Sequence, residues 1–365
     1  MVTATEQGRS EGGAGHGRAA SMRRRLGRSD AAESLDFNPQ APLLDVRDLQ
    51  VEFRTRDGVA HAVNGATFSV AEGETLGILG ESGCGKSVTA QAIMGILDSP
   101  PAHIAGGQVL LRGVDLLTLP HDVRRSVRSE RVAMVFQDAL SALNPVFSIG
   151  WQLGELFRQH RGYSKTDARK EAVELLDLVG IPDAVNRVSD FPHQFSGGMR
   201  QRVMIAMAIA LDPEVLIADE PTTALDVTVQ AQIMQLLADL QAERDMGLIL
   251  ITHDMGVVAD VADNICVMYA GRIVERAGVH DIYKDPAHPY TKALLESIPR
   301  VDMKGRQLAS IEGLPPTLTK LPAGCSFHPR CNLVRDRCRE DDPPLYEMDG
   351  GRRSACHYYE EVLAR

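Results

Sequence analysis

No apolar run in this chain is long enough to cross a membrane. The longer stretches, such as Val203–Leu211, stop far short of the ~20 residues a spanning helix needs. Positive charge is in deficit: 39 Lys and Arg face 49 Asp and Glu, for a formal net charge of -10. That balance counts against a nucleic-acid partner, because phosphate backbones select basic surfaces. No secretory leader is expected either. The basic run Arg23-Arg24-Arg25 continues into Leu26-Gly27-Arg28-Ser29-Asp30, which supplies no apolar core for one. What is there is ordinary for a soluble globular protein: 365 residues, 44% hydrophobic and 24% charged. Such a length holds one large domain with an extension, or two modest domains.

Residues 1–42 have almost no aliphatic periodicity, and their Gly, Ala, Ser and Arg predict a disordered tail. Its basic run offers a weak attraction to anionic lipid headgroups. From Leu43 the texture changes. Leu44-Asp45-Val46-Arg47 and Val51-Glu52-Phe53 alternate as half-buried strands do, and Asp57-Gly58 suits a tight turn. Further strands are predicted at Thr67–Val70, Thr75–Leu79, Arg131–Phe136, Val215–Ala218, Leu248–Ile251 and Ile265–Met268. Helices intervene. Ser87–Leu97 is one, and Thr228–Gln241 is another, with Val229, Ile233, Leu236, Leu237 and Leu240 on one face. Alternating strands and helices predict an α/β fold with a parallel sheet covered on both faces. Residues 149–188 lack any strand pattern, which suggests an inserted helical subdomain. After Arg276 the chain turns to Pro, His and Cys, the mark of a separate C-terminal extension.

Gly80-Glu81-Ser82-Gly83-Cys84-Gly85-Lys86-Ser87 fits the phosphate-loop pattern between a predicted strand and a predicted helix. Its glycines let successive backbone N–H groups of the loop, through Val88, face phosphate oxygens, and the helix adds the positive end of its dipole. In such a loop Lys86 reaches the β- and γ-phosphates and Ser87 ligates Mg²⁺. Cys84 has two readings: a thiol whose pKa the helix terminus depresses, or a position that accepts any small side chain. Farther on, Val215–Ala218 ends in Asp219 and Glu220. One carboxylate at such a strand end can hold Mg²⁺, and the next can polarise an attacking water; a solvated strand end reads the same way in isolation.

Taken in order, Gly80–Ser87, Gln137, Ser196-Gly197-Gly198-Met199, Asp219-Glu220, Ala224-Leu225-Asp226 and His253 resemble the motif set of ABC-family ATPases. The resemblance implies an ABC-type phosphate-loop core, a mixed sheet with helices on both faces, over residues 43–275, with the helical subdomain at about 149–190. It implies ATP and Mg²⁺ as cofactors. Glu220, His253 and Gln137 take catalytic roles, with Gln137 beside Ser87 and Asp219 at the metal. Ser196–Met199 and Asp226 meet the nucleotide of an opposing subunit, and Met199 stands where the family has Gln. Phe53 is expected to stack on adenine, although a core Phe reads the same way.

Asp138–Pro145, containing Ser141-Ala142-Leu143-Asn144-Pro145, and Pro286–Pro299, containing His288-Pro289-Tyr290-Thr291, resemble segments of dipeptide and oligopeptide importer ATPases. This implies a peripheral subunit on the cytoplasmic face of the membrane. Its partners are a second, paralogous ATPase subunit, two transmembrane permease subunits and an extracytoplasmic peptide-binding protein. Alternatives are an importer of nickel or another small solute, and a soluble non-transport ABC ATPase. The latter usually carries two cassettes or a large DNA-binding insert, and neither is present. In residues 276–365, Cys325, Cys331, Cys338 and Cys356 lack the paired C-x-x-C of common zinc modules. By resemblance they hold a [4Fe–4S] cluster, zinc being the alternative, as a structural staple for a small irregular extension.

Overall fold

The computed structural model describes residues 35–297 and 311–364. The tail assignment for residues 1–34 falls outside that range, as do Ile298 and Pro299 of the Pro286–Pro299 segment. Residues 35–42, expected to belong to the tail, are part of the fold. Leu35 and Phe37 pack against a buried apolar cluster, and the Arg131 guanidinium lies 3.9 Å over the Phe37 ring.

Two sheets organise the core. The first is antiparallel, in the order β2-β1-β4-β5, with β1 Leu44–Thr55, β2 Gly58–Val70, β4 Ala102–Leu111 and β5 Val114–Asp115. The two strands expected before Asp57 are a single strand, β1, whose alternation is shifted by irregularities between Val46 and Leu49 and between Val51 and Glu52. The second sheet has β3 Thr75–Leu79, β6 Val132–Val135, β7 Val215–Asp219, β8 Gly247–Thr252 and β9 Asn264–Tyr269 in parallel, in the order β9-β3-β8-β7-β6. Every residue of β3, β7 and β8 is buried, as expected of parallel strands covered on both faces.

At the far edge of this sheet β10, Arg272–Gly278, runs antiparallel to β9. It pairs in turn with β12, Arg353–Ser354, which pairs with β11, Tyr346–Glu347. The boundary expected at 275/276 therefore falls inside a strand, and the C-terminal segment completes the main sheet rather than hanging from it.

Helix α1, Lys86–Met94, follows β3, and α2, His121–Glu130, precedes β6. Between β6 and β7 the regular structure of the described chain is all helical. It comprises the short α3 Ala139–Ala142, α4 Ile149–Arg161, α5 Lys165–Leu178, α6 Ala184–Arg187, a single 3-10 turn and α7 Gly197–Ile209. Leu153, Phe157, Leu175 and Leu176 from this stretch are buried in the same apolar cluster as the β7 and β8 side chains Leu216 and Leu250. Each such side chain contributes roughly 1.5–3 kcal/mol relative to exposure. Helix α8, Val227–Arg244, buries Ile233, Leu237 and Leu240 on the expected face, with Val229 and Leu236 half-buried at its margin. The Asp226 carboxylate caps it, accepting the Val229 N–H at 3.0 Å. Among the described residues no helix is long and apolar enough to cross a membrane.

Buried charge ties the layers together. Glu130, fully buried at the end of α2, is 3.2 Å from Arg161 and 3.4 Å from His160 on α4. Glu214, just before β7, pairs with Arg112 at 2.6 Å and with Arg131, joining the antiparallel sheet to the parallel one.

Candidate functional site

The strand β3 delivers the chain into the glycine loop, and α1 carries it away. Gly85, at the helix N-cap, has φ 107° and ψ 2°. A Cβ there would stand 2.2 Å from the Ala62 carbonyl oxygen, so only glycine fits. The Lys86 side chain is buried and turned back on its own loop, donating to the carbonyls of Gly80 at 2.7 Å and Glu81 at 3.0 Å. Ser87 donates to the Asp219 carboxylate at 3.0 Å. Burial raises the pKa of Asp219, against the pull of Ser87 and Lys86.

Glu220 follows β7 with φ 46°, a left-handed conformation unusual for a side chain of its size. Its carboxylate accepts from Gln137 at 2.9 Å and from the Thr223 hydroxyl at 3.0 Å. His253 Nδ1 lies 3.3 Å from its other oxygen. Four separate segments thus converge on one cavity of about 400 Å³, lined by Ser82, Gly83, Gly85, Lys86, Ser87 and Val88 of the loop together with Gln137, Glu220 and His253. The arrangement offers backbone donors and a lysine for an anion, and a hydroxyl–carboxylate pair for a cation. It also offers a carboxylate held ready beside a histidine for proton chemistry.

The other expected site residues lie elsewhere. Ser196 caps α7, its hydroxyl accepting the Met199 N–H at 3.3 Å; Gly197 and Gly198 form the first turn, and Asp226 caps α8. None of these lines the cavity within this one chain. Met199 packs half-buried against the main apolar cluster, which accounts locally for a thioether at that position. Phe53 is not brought to the cavity: it sits on β1, half-buried against the second apolar cluster. Cys84 is buried, and burial pushes its thiol pKa up rather than down. That direction counts against an activated thiol at this position.

Two cavity residues escaped the sequence reading, Ala62 and Leu318, as did Thr223, which holds the Glu220 carboxylate and carries no motif signal of its own. Leu318 reaches the cavity from the C-terminal segment, and nothing in a linear sequence connects it to the glycine loop.

The four clustered cysteines come together. Cys325, Cys331, Cys338 and Cys356 line one apolar cavity of about 20 Å³ with Phe327 and His288. Burial pushes the Cys331 thiol up to about 11 and Cys356 up to about 12. Among the described residues no group of three or more His, Cys, Asp or Glu side chains forms a ready-made metal site.

A model of the ABC transporter family matches residues 63–223, and a model of the oligopeptide/dipeptide transporter C-terminal region matches residues 274–338. The dipeptide transport ATP-binding protein DppD of Bacillus subtilis (strain 168) is 51% identical over 289 residues, covering 79% of this chain and 86% of the relative. The oligopeptide transport ATP-binding protein OppD of Salmonella typhimurium is 49% identical over 318 residues, 87% of this chain and 94% of the relative. Among solved structures, the dimeric ATP-binding cassette MJ0796 in a post-hydrolysis state bound to ADP and Pi aligns with a TM-score of 0.58 and 26% identity. That match covers 65% of this chain and 98% of the other. The chain belongs to the ABC transporter ATP-binding family, in the group that carries the oligopeptide/dipeptide transporter C-terminal region.

Proposed function

We propose that this chain is the ATP-binding and hydrolysing subunit that powers import of dipeptides or oligopeptides by a binding-protein-dependent transporter, working as a peripheral subunit on the cytoplasmic face of the membrane. The convergence of the glycine loop, Gln137, Glu220 and His253 on one cavity carries this reading. The backbone N–H groups at the start of α1 receive the phosphates of ATP. Lys86 exchanges its loop carbonyls for the β- and γ-phosphate oxygens. Ser87, Asp219 and Gln137 are the groups to hold Mg²⁺, which supplies charge neutralisation on the phosphate oxygens. Glu220 polarises the attacking water, and His253 steadies the carboxylate from its other oxygen. Ser196, Gly197, Gly198, Met199 and Asp226, which stand away from this cavity, serve the nucleotide of a second, paralogous ATPase subunit.

An exposed apolar patch supports the transport half. Val146 is 70% exposed, and beside it the half-exposed rings of Phe147 and Trp151 stack at 4.0 Å. This apolar patch follows the Ser141–Pro145 segment closely and is of the kind that marks a protein partner. The helical stretch 149–190 forms the subdomain that presents it to the two permease subunits.

The donor set of Cys325, Cys331, Cys338 and Cys356, four thiols on one small cavity, fits a [4Fe–4S] cluster, with zinc the alternative. Burial pushes the thiols of Cys325, Cys331 and Cys356 up, so bound positive charge is what would favour their thiolates. When bound, the group supplies a cross-link for segments too short and Pro-rich to build a core of their own.

The test is reconstitution with the permease subunits, the partner ATPase and the peptide-binding protein. Peptide-stimulated ATP hydrolysis is the expected result. No stimulation by any peptide removes the substrate class and leaves the ATPase assignment to be judged by basal hydrolysis.

A further inference from the structure

The glycine loop is held from outside as well as from within. Its second residue, Glu81, forms a two-pronged ion pair with Arg330: Nη1 is 2.6 Å from Oε2, and Nη2 is 2.9 Å from Oε1. Arg330 belongs to the cysteine-bearing segment and ends the 3-10 turn His328–Arg330. Its side chain is only 4% exposed.

The remaining donors of the guanidinium are all engaged. Nε donates to the Glu312 carbonyl at 3.1 Å, Nη2 to the Ile311 carbonyl at 3.4 Å, and Nη1 to the Tyr269 hydroxyl at 3.4 Å. Tyr269 ends β9, and its ring packs on Tyr290 at 4.6 Å and on Phe327 at 5.2 Å. The Tyr290 hydroxyl in turn accepts the Glu81 N–H at 2.9 Å. One side chain thereby ties together the glycine loop, the end of a central strand and the start of the 311–319 segment. That segment continues to Leu318, whose carbonyl accepts the His61 N–H at 3.0 Å and whose side chain lines the nucleotide cavity.

The geometry selects a role in positioning rather than in stability alone. A fork-to-fork arginine–carboxylate pair is directional, unlike a point charge. It is fixed here to the residue whose backbone carbonyl also receives Lys86 Nζ. A shift of Glu81 is therefore a shift of the lysine that meets the phosphates. We infer that Arg330 is a positioning residue of the ATP site: through Glu81 and the 311–319 segment it fixes the glycine loop in its nucleotide-receiving shape. This rests on the assignment of the 400 Å³ cavity to ATP.

The experiment titrates a fluorescent ATP analogue onto the full-length chain and follows steady-state hydrolysis and thermal melting in parallel. Couplings of this kind change affinity by about 2- to 30-fold. Arg330→Gln is expected to weaken nucleotide binding within that range and to raise KM more than it lowers kcat. Arg330→Lys, which keeps one prong, recovers part of the loss. Glu81→Ala weakens binding similarly, and the double variant is no weaker than the worse single, because both remove one interaction. Arg335→Gln, on the same segment but paired with the exposed Glu361, leaves binding unchanged. Wild-type affinity in folded Arg330→Gln, or additive losses in the double variant, overturns the inference. If Arg330→Gln does not fold, Glu81→Ala decides alone, and unchanged affinity there is equally fatal. Binding by wild type but not by Lys86→Ala establishes the ATP site independently, so failure of the site and failure of the Arg330 role are told apart.

Discussion

Two glycines of the same loop separate dihedral strain from steric displacement. Gly83 has φ 78°, and a Cβ built on it meets no heavy atom within 4 Å. Gly85 has φ 107°, and its Cβ would stand 2.2 Å from the Ala62 carbonyl oxygen and 3.0 Å from the Met268 methyl. The methionine end can yield. The carbonyl is held more firmly, because Ala62 lies in β2 between His61 and Val63, which pair with Glu52 and Val51 of β1. Carbon–oxygen contacts settle near 3.3 Å, so the loop has to retreat by about 1 Å. Lys86 and the first N–H groups of α1 retreat with it. A misplacement of that size costs about 10²-fold in rate, near 2.7 kcal/mol of transition-state stabilisation. Gly83→Ala carries only the left-handed strain, about 1–2 kcal/mol against stability. The assay is kcat/KM for ATP by phosphate release, with melting curves to establish that both variants fold. If folded Gly85→Ala keeps a kcat/KM comparable to that of Gly83→Ala, the steric account of the loop is wrong.

Further outcomes follow from the same geometry. Glu220→Gln keeps an acceptor oxygen for Gln137 and Thr223 but loses its charge; kcat should fall by about 10²–10⁴ while nucleotide titration still shows binding. Glu130→Gln removes the negative charge facing buried Arg161 at 3.2 Å; urea unfolding should register a loss of about 3–5 kcal/mol. Cys338→Ser breaks the four-thiol set of the small cavity. Anaerobically purified wild type should yield iron and acid-labile sulfide, and the variant neither; zinc in wild type instead selects the alternative metal.

The sheet that carries the chemistry was the legible part. Its strands β3, β7, β8 and β9 are short apolar runs with both faces buried, and that pattern survives in a linear sequence. The antiparallel sheet is far less legible. Most of β2 went unseen because His61, Asn64 and Gly65 interrupt its alternation, and β4 opens with Ala102-His103-Ile104-Ala105-Gly106-Gly107. Both are strands through long-range pairing with β1, which local propensity does not encode. Helix α2 was missed for want of an apolar stripe: only Val123 and Val127 interrupt its polar residues. Phe53 shows the limit for a lone aromatic, since neither spacing nor residue type distinguishes a base platform from a core ring. The C-terminal segment looked separate because its composition changes, yet β11 and β12 belong to the main sheet.

The adjacent acids Asp219 and Glu220 show what the fold adds to a motif. Consecutive residues of a strand point to opposite faces, so an extended backbone would turn one of the two carboxylates away from the nucleotide. The chain avoids this by ending β7 at Asp219 and placing Glu220 at φ 46°. That left-handed step costs of order 1–3 kcal/mol. It is held by the Glu220 N–H donating to the Ile251 carbonyl at 2.8 Å and by the contacts of its carboxylate with Gln137, Thr223 and His253. Asp219 then meets Ser87 of the glycine loop while Glu220 lines the cavity, in different surroundings. Asp219 is buried against Ser87, as suits a cation-binding group, and Glu220 opens to the cavity, as suits a group that must reach water. The division of labour proposed for these two neighbouring carboxylates thus rests on one strained residue, which only the folded backbone reveals.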